Sequence, residues 1–246
     1  MNKNIKDVKH YFYDLIFTGF LRKYWFWFSS PFDVEKAAMV NFFSYANVNV
    51  EGFHKKEGLT SVIDLRQDLD VIWSKTRKKF IQKQITRGKN NSIIIKQDDN
   101  FAEFEKIYKV FRDIKGLAKD NLNVLKSNAI LFSAYHNSKM IAGGVFVSNG
   151  KFMRALILSS KHNVSNSRDR EIIGQANRLV IWQAISYAKE TGHELFDLGG
   201  IAPESSKKLD ITLAEFKEAF GGERKPCYYY YKIYSSLLKL LIKIKR

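Results

Sequence analysis

The chain has 246 residues, 45% of them hydrophobic, enough to bury a full core as one domain or as one domain with a small appendage. Its formal net charge of +16 points to an anionic partner: nucleic acid, a nucleotide or diphosphate substrate, or an acidic membrane surface. A single cysteine, Cys227, excludes an internal disulfide framework, and the five histidines lie too far apart for metal-ligand spacing; a reducing cytoplasm and no metal are expected.

The first distinctive stretch is "YFYDLIFTGFLRKYWFWFSSPF", residues 11–32. It is half aromatic, but Asp14, Arg22 and Lys23 interrupt it, and no run of about 18 apolar residues occurs anywhere in the chain. It does not read as a span, nor does a small-residue cleavage site follow a basic start as in a signal peptide. Aromatics mixed with cations suit a lipid headgroup zone. The last residues, "YSSLLKLLIKIKR", repeat the character with Lys239, Lys243, Lys245 and Arg246 among leucines and isoleucines. Two expectations follow: interfacial contact of both ends with the inner face of a plasma membrane, or packing of both ends on the domain.

Residues 62–65 form a short apolar strand, and residues 69–86 read as one helix with Trp73, Arg77, Phe80 and Gln84 on one face. No acid occurs between Val71 and Gln97, while Lys75, Arg77, Lys78, Lys79, Lys83, Arg87, Lys89 and Lys96 all do. Most of these form a solvated face. Arg77, on the side of Trp73 and Phe80, is expected to point inward at an anion.

A strand at 93–96 and an amphipathic helix at 100–116 follow, the helix carrying a core stripe of Phe101, Phe104, Ile107, Tyr108 and Phe111. Strands at 129–135, 140–147 and 151–158 are joined by "HNSK" and "SNGK", and Asn149-Gly150 signals a hairpin. Gly143 and Gly144 interrupt the middle strand, marking a bulge or the close approach of a backbone or ligand. The polar loop at 159–170 leads into a helix at 172–190 that is apolar on nearly all sides, with Gly192 as its stop. The strand at 194–200 returns through that helix and is expected parallel to 151–158. Thr212 and Glu215 form a capping box for a helix at 213–220, Gly221 ends it, and residues 227–233, with Cys227 as a packed residue, close the sheet.

Meander, loop, buried helix, parallel strand, helix and final strand is the order of a GNAT acyltransferase core. "WSKTRKKFIQKQI", "IAGGVFVSNGKFMRALIL", "LVIWQAISYAKETGHELFDLGGI" and "LAEFKEAFGGE" together resemble the Fem-type peptidoglycan aminoacyltransferases and related single-domain proteins of envelope-polysaccharide loci. The resemblance runs from about residue 61 to residue 231. It implies an α/β, GNAT-like fold with a mixed central sheet flanked by helices, residues 61–246 forming the acyltransferase domain and residues 1–60 an N-terminal segment or incomplete subdomain. It also implies transfer of an acyl or aminoacyl group to an amine on an envelope precursor. No tightly bound cofactor is implied, and the donor is either acyl-CoA or another thioester, or aminoacyl-tRNA. The pyrophosphate signature of acetyl-CoA enzymes is approximated by "REIIGQA", with Arg170 one residue too far from Gly174.

Acyl transfer to an amine needs a neutral nucleophile, a carbonyl held nearby and donors aimed at the developing oxyanion, with no covalent enzyme intermediate. In such a core the donor lies where the two parallel strands diverge. Arg168 and Arg170, just before the buried helix, suit an anion site at its N-terminus or a solvated basic loop. Asp197 lies on the second strand, where it can orient or deprotonate the acceptor amine or hydrogen-bond the following loop. Gly199 and Gly200 let the chain leave the sheet with little bulk near a substrate. Lys217 matches the lysine that precedes "FGGE" in Fem-type enzymes, where the family implies electrostatic help to the transferring group. The competing class is a catalytically degenerate module that uses its basic face on RNA or an anionic membrane.

Overall fold

The structure is a computed structural model and describes residues 11–16, 20–162 and 166–244. It divides into two compact units: unit 1 is Met1–Thr60 with Lys225–Arg246, and unit 2 is Ser61–Arg224. The sequence reading kept residues 225–246 with the transferase domain. Strand pairing groups them otherwise.

Unit 1 is built on aromatic strands. β1 (Tyr11–Ile16) and β2 (Leu21–Trp27) form an antiparallel hairpin, and β3 (Met39–Ser44) runs parallel to β2. β3 then pairs antiparallel with residues 228–233 of the late strand β10 (Glu223–Ile233). Phe26, Phe32, Phe42 and Tyr230 fill one face; the Phe26 and Phe42 rings stack with centroids 4.8 Å apart. Alternation of inward aromatics along β2 and β3 is what orients that face. Cys227 is buried here, as expected of a packed strand residue. A last helix, α7 (Ser236–Ile244), follows β10.

Unit 2 begins within β4 (His54–Asp64). The single helix expected at 69–86 is interrupted. α1 (Leu69–Lys75) stops at Thr76, whose hydroxyl donates to the Trp73 carbonyl, and Thr76 and Arg77 are extended. A π-helical turn (Lys78–Gln82) and α2 (Lys83–Asn90) resume the course, and Gln82 Nε2 donates back to the same Trp73 carbonyl at 2.9 Å. β5 (Ile94–Asp98), α3 (Phe101–Ile114) and a short α4 (Leu122–Leu125) come next. Asn100 caps α3 by accepting from the Glu103 N–H.

The meander β6 (Ile130–His136), β7 (Lys139–Ser148) and β8 (Phe152–Ser160) is antiparallel throughout. Helix α5 (Ser167–Glu190) crosses to β9 (Leu195–Ile201), which is parallel to β8 as expected, and α6 (Lys208–Glu218) precedes β10. The strand order in this unit is β4-β9-β8-β7-β6-β5. Side chains alternate along β7: Ala142 and Phe146 join the core beneath α5, while the Gly143 position faces Phe104 of α3 on the other side. A mixed sheet thus lies between helices, the arrangement implied by the GNAT-like reading.

Both helices at the far end of the chain start earlier than the sequence predicts. α5 begins at Ser167 because Asn166 accepts from the Asp169 N–H at 2.7 Å, adding a turn ahead of Ile172. α6 begins at Lys208, so Thr212 is not a cap; its hydroxyl donates to the Lys208 carbonyl inside the helix.

Candidate functional site

The β8–β9 ladder is short. It pairs Phe152 with Leu195, Met153 with Phe196 and Arg154 with Asp197, and ends there, although β8 continues to Ser160 and β9 to Ile201. Two local distortions coincide with the parting. On β8, Val145 pairs with Ile157 and Phe146 with Ala155, leaving Leu156 as a bulge without a partner on β7. On β9, Gly199 sits at φ +96°, a conformation that strains any other residue.

At the fork, three charged side chains meet. Arg154 Nη1 contacts Asp197 Oδ2 at 2.5 Å, and both residues are buried, Asp197 completely. Asp197 Oδ1 accepts from the Gly199 N–H at 2.7 Å, which fixes the first residue of the bend. From α6, Lys217 Nζ donates to the Gly200 carbonyl at 2.7 Å. A Cβ on Gly199 would lie 3.1 Å from that nitrogen and 3.4 Å from the Ala155 carbonyl oxygen, so glycine leaves the room the ammonium uses. Burial first, and then repulsion by Arg154, draw the Lys217 pKa from 10.5 to about 8, with Asp197 partly opposing the shift.

Asp197 has no exposed surface; it is engaged by Arg154 and accepts from the Gly199 N–H, the hydrogen bond to the following loop that the sequence offered beside a role at the acceptor amine. Gly199, Gly200 and Lys217 are brought together with it. Arg154 was missed by sequence reasoning, although it is the sole charge within "FMRALIL", and an arginine in an apolar strand needs a buried partner.

The other candidates lie elsewhere. Gly143 and Gly144 are buried in β7: a Cβ on Gly143 would meet Phe104 Cδ2 at 2.7 Å, and one on Gly144 would meet Leu158 Cδ2 at 2.8 Å. Phe104 packs over the Gly143 position, and Leu158 and Phe146 over that of Gly144. Arg77 is exposed and not turned to the core, because the break at Thr76 removes it from the face of Trp73; Phe80 is 58% exposed as well. Its main-chain N–H nonetheless bonds the Ala219 carbonyl, just beyond α6. Arg168 and Arg170 are exposed in the first turn of α5, not in a loop before it. Gly174 lies inside that helix and its carbonyl accepts from Arg178 Nη1, so "REIIGQA" begins in the first turn but carries its glycine deeper into the helix, away from the N-terminus.

Arg178 is a second unforeseen cation. Its Nε donates to the Phe80 carbonyl at 2.7 Å and its guanidinium lies 5.4 Å from the Phe216 ring centroid, tying the π-helical turn and α6 to α5. Among the described residues no cluster of His, Cys, Asp and Glu could hold a metal ion, and no helix is long and apolar enough to cross a membrane.

No family model and no curated protein sequence matches the chain. Solved structures do. The chain is similar to FemX at 13% identity, with 85% of this chain and 75% of that one covered and a TM-score of 0.61. It is similar to the C-terminal domain of a putative lysylphosphatidylglycerol synthetase from Agrobacterium fabrum at 13% identity, covering 96% and 84% of the two chains with a TM-score of 0.54. L-PGS from Bacillus licheniformis matches at 12% identity over 84% and 71%, with a TM-score of 0.51. The fold is therefore the Fem/GNAT-like one that the four motifs resemble.

Proposed function

We propose that this chain is an N-acyl- or aminoacyltransferase that moves an activated acyl group to an amine on a cell-envelope precursor, an amino sugar or a peptidoglycan peptide carried on a nucleotide or lipid diphosphate. The reading rests above all on Lys217, a half-buried ammonium that donates to the Gly200 carbonyl where β8 and β9 part. A positive charge held in a low-dielectric cleft stabilises negative charge that develops on a transferring carbonyl. The fold shared with FemX supports the same class.

In this mechanism the neutral acceptor amine attacks the acyl carbonyl, and a tetrahedral oxyanion forms opposite Lys217 Nζ. The C–O or C–S bond to the donor then breaks, and the departing oxygen or sulfur takes the electron pair and the proton that the attacking nitrogen gives up. Arg154 and Asp197 act by holding Gly199 and Gly200 in the bend that positions the lysine. Both donor classes remain in the proposal: acyl-CoA or another thioester, and aminoacyl-tRNA. The exposed cations Arg77, Lys78, Lys79, Arg168 and Arg170 suit the phosphates of either. The proposed site of action is the cytoplasmic face of the plasma membrane.

Transfer of a labelled acyl group from each donor class to amino-sugar and peptide acceptors tests the reading. Lys217→Met should lower turnover by on the order of a hundredfold, the effect of losing one oxyanion donor. Lys208→Met, at the exposed start of α6, is the control. Turnover near the wild-type level in Lys217→Met, with a donor and acceptor that the wild type uses, removes the lysine from the mechanism.

A further inference from the structure

Unit 1 carries an exposed apolar feature that acyl transfer leaves unexplained. Phe20, in the turn between β1 and β2, is 83% exposed. On α7, Leu237 and Leu240 are 57% and 56% exposed, while Leu238 is buried. The helix thus packs through one side and presents leucines three apart on another.

These residues belong to one end of the unit. The Arg22 carbonyl, two residues from Phe20, accepts from the Ala38 N–H at 2.8 Å. The Ala38 carbonyl in turn accepts from Tyr234 and Ser235, the two residues ahead of α7, at 2.9 and 3.2 Å. One hydrogen-bonded path, Arg22 to Ala38 to Ser235, therefore fastens the hairpin turn beside the start of the helix. Cations share the same end: Arg22, Lys36 and Lys239 are exposed, and none makes an ion pair among the described residues. Two acids accompany them among the described residues 33–36: Glu35, which is exposed, and Asp33, which accepts from Lys232 and Tyr234. In sequence, Lys243, Lys245 and Arg246 continue the basic run.

We infer that this end of unit 1 is a docking surface for an anionic lipid bilayer, with Phe20, Leu237 and Leu240 entering the headgroup–acyl boundary and Arg22, Lys36 and Lys239 meeting lipid phosphates. Aromatic and leucine side chains supply burial, and exposed cations supply attraction that acts over a Debye length. A second protein chain would need complementary acids opposite these three cations, whereas an acidic lipid surface provides them at any orientation. The inference does not depend on the acyl-transfer chemistry, since it uses no residue of the β8–β9 fork.

Co-sedimentation with phosphatidylcholine vesicles containing about 30% phosphatidylglycerol tests it directly. The full chain should bind these vesicles, bind pure phosphatidylcholine far less, and lose affinity as salt rises from about 0.1 to about 0.5 M. Leu237→Glu with Leu240→Glu should lower the partition coefficient by about tenfold or more with an unchanged circular dichroism spectrum and melting profile. If that pair disturbs folding, Phe20→Ser and Lys239→Glu, on different elements, should each weaken binding. Absence of vesicle binding by the wild type, equal binding to neutral vesicles, or variants that bind as well as wild type would each overturn the proposal. So would light scattering that shows a wild-type dimer converted to monomer by the leucine substitutions, since a second copy would then cover this face.

Discussion

Arg154 and Asp197 stand opposite each other on the last rung of the β8–β9 ladder, joined at 2.5 Å and both out of water. Beyond that rung the strands separate, so a buried ion pair marks where the sheet opens. Such a pair adds little over well-packed apolar residues, but losing one partner strands the other charge. Arg154→Met should cost about 3–5 kcal/mol in urea unfolding. Asp197→Asn, which keeps an acceptor for the Gly199 N–H, should cost less, and the two combined should recover much of the single Arg154→Met loss. Additive losses in the double variant would show that the pair is not the coupling unit.

Lys217 gives the site a pH signature. Its folded pKa of about 8 lies below the ordinary 10.5, so between those values the unfolded chain binds the proton that the folded chain has released. Folding stability should therefore rise with pH across that window, and below about 8 the buried ammonium should oppose folding throughout. Lys217→Met removes this dependence and should be no less stable than wild type at neutral pH. Activity should run the other way: if the ammonium stabilises the oxyanion, kcat/KM falls as pH climbs through about 8. A rate that increases through the same range would assign the neutral amine as a base.

Gly199→Ala tests the room beside that ammonium. A methyl group there faces both φ +96° and the Lys217 nitrogen at 3.1 Å. The substitution should cost about 1–3 kcal/mol of stability and displace the lysine, raising its pKa towards the solvent value. Titration of the Lys217 side chain by NMR reads the displacement; an unchanged pKa would mean that the bend tolerates the methyl group.

Gly143→Ala is expected to act through packing alone. Its Cβ would press on the ring of Phe104, which is fully buried and cannot swing away. A loss of about 1–3 kcal/mol should be partly relieved by Phe104→Leu in the same chain. Equal losses with and without the second change would place the strain elsewhere.

The contrast between these glycines explains what the sequence allowed. Short apolar runs joined by "HNSK" and "SNGK" and the apolar length of α5 depend on local pattern, and they located the meander, the crossover helix and the parallel β9. Lys217, Gly199 and Gly200 were legible because a motif held them at short range. The break at Thr76–Arg77 was not, since no Gly or Pro signals it; it is made by Thr76 and Gln82 side chains that converge on the Trp73 carbonyl. Arg154 lay far in sequence from Asp197, and pairing them requires the β8–β9 register. Gly143 resembles a ligand-approach glycine until Phe104 is seen above it.

The pairing of β3 with β10 carries a consequence for how the chain matures. Phe42 and Tyr230 belong to one aromatic cluster, yet one is translated early and the other near the end. The contiguous segment Ser61–Arg224 can condense on the ribosome while β3, paired with β2 along one edge, still lacks β10 along the other. That edge of β3 would then stay unsatisfied and open to chaperones until β10 emerges. Pulse-labelled hydrogen exchange during refolding should protect amides of β7 and α5 before those of β3, and truncation ahead of Tyr228 should leave β3 unprotected while α5 remains closed.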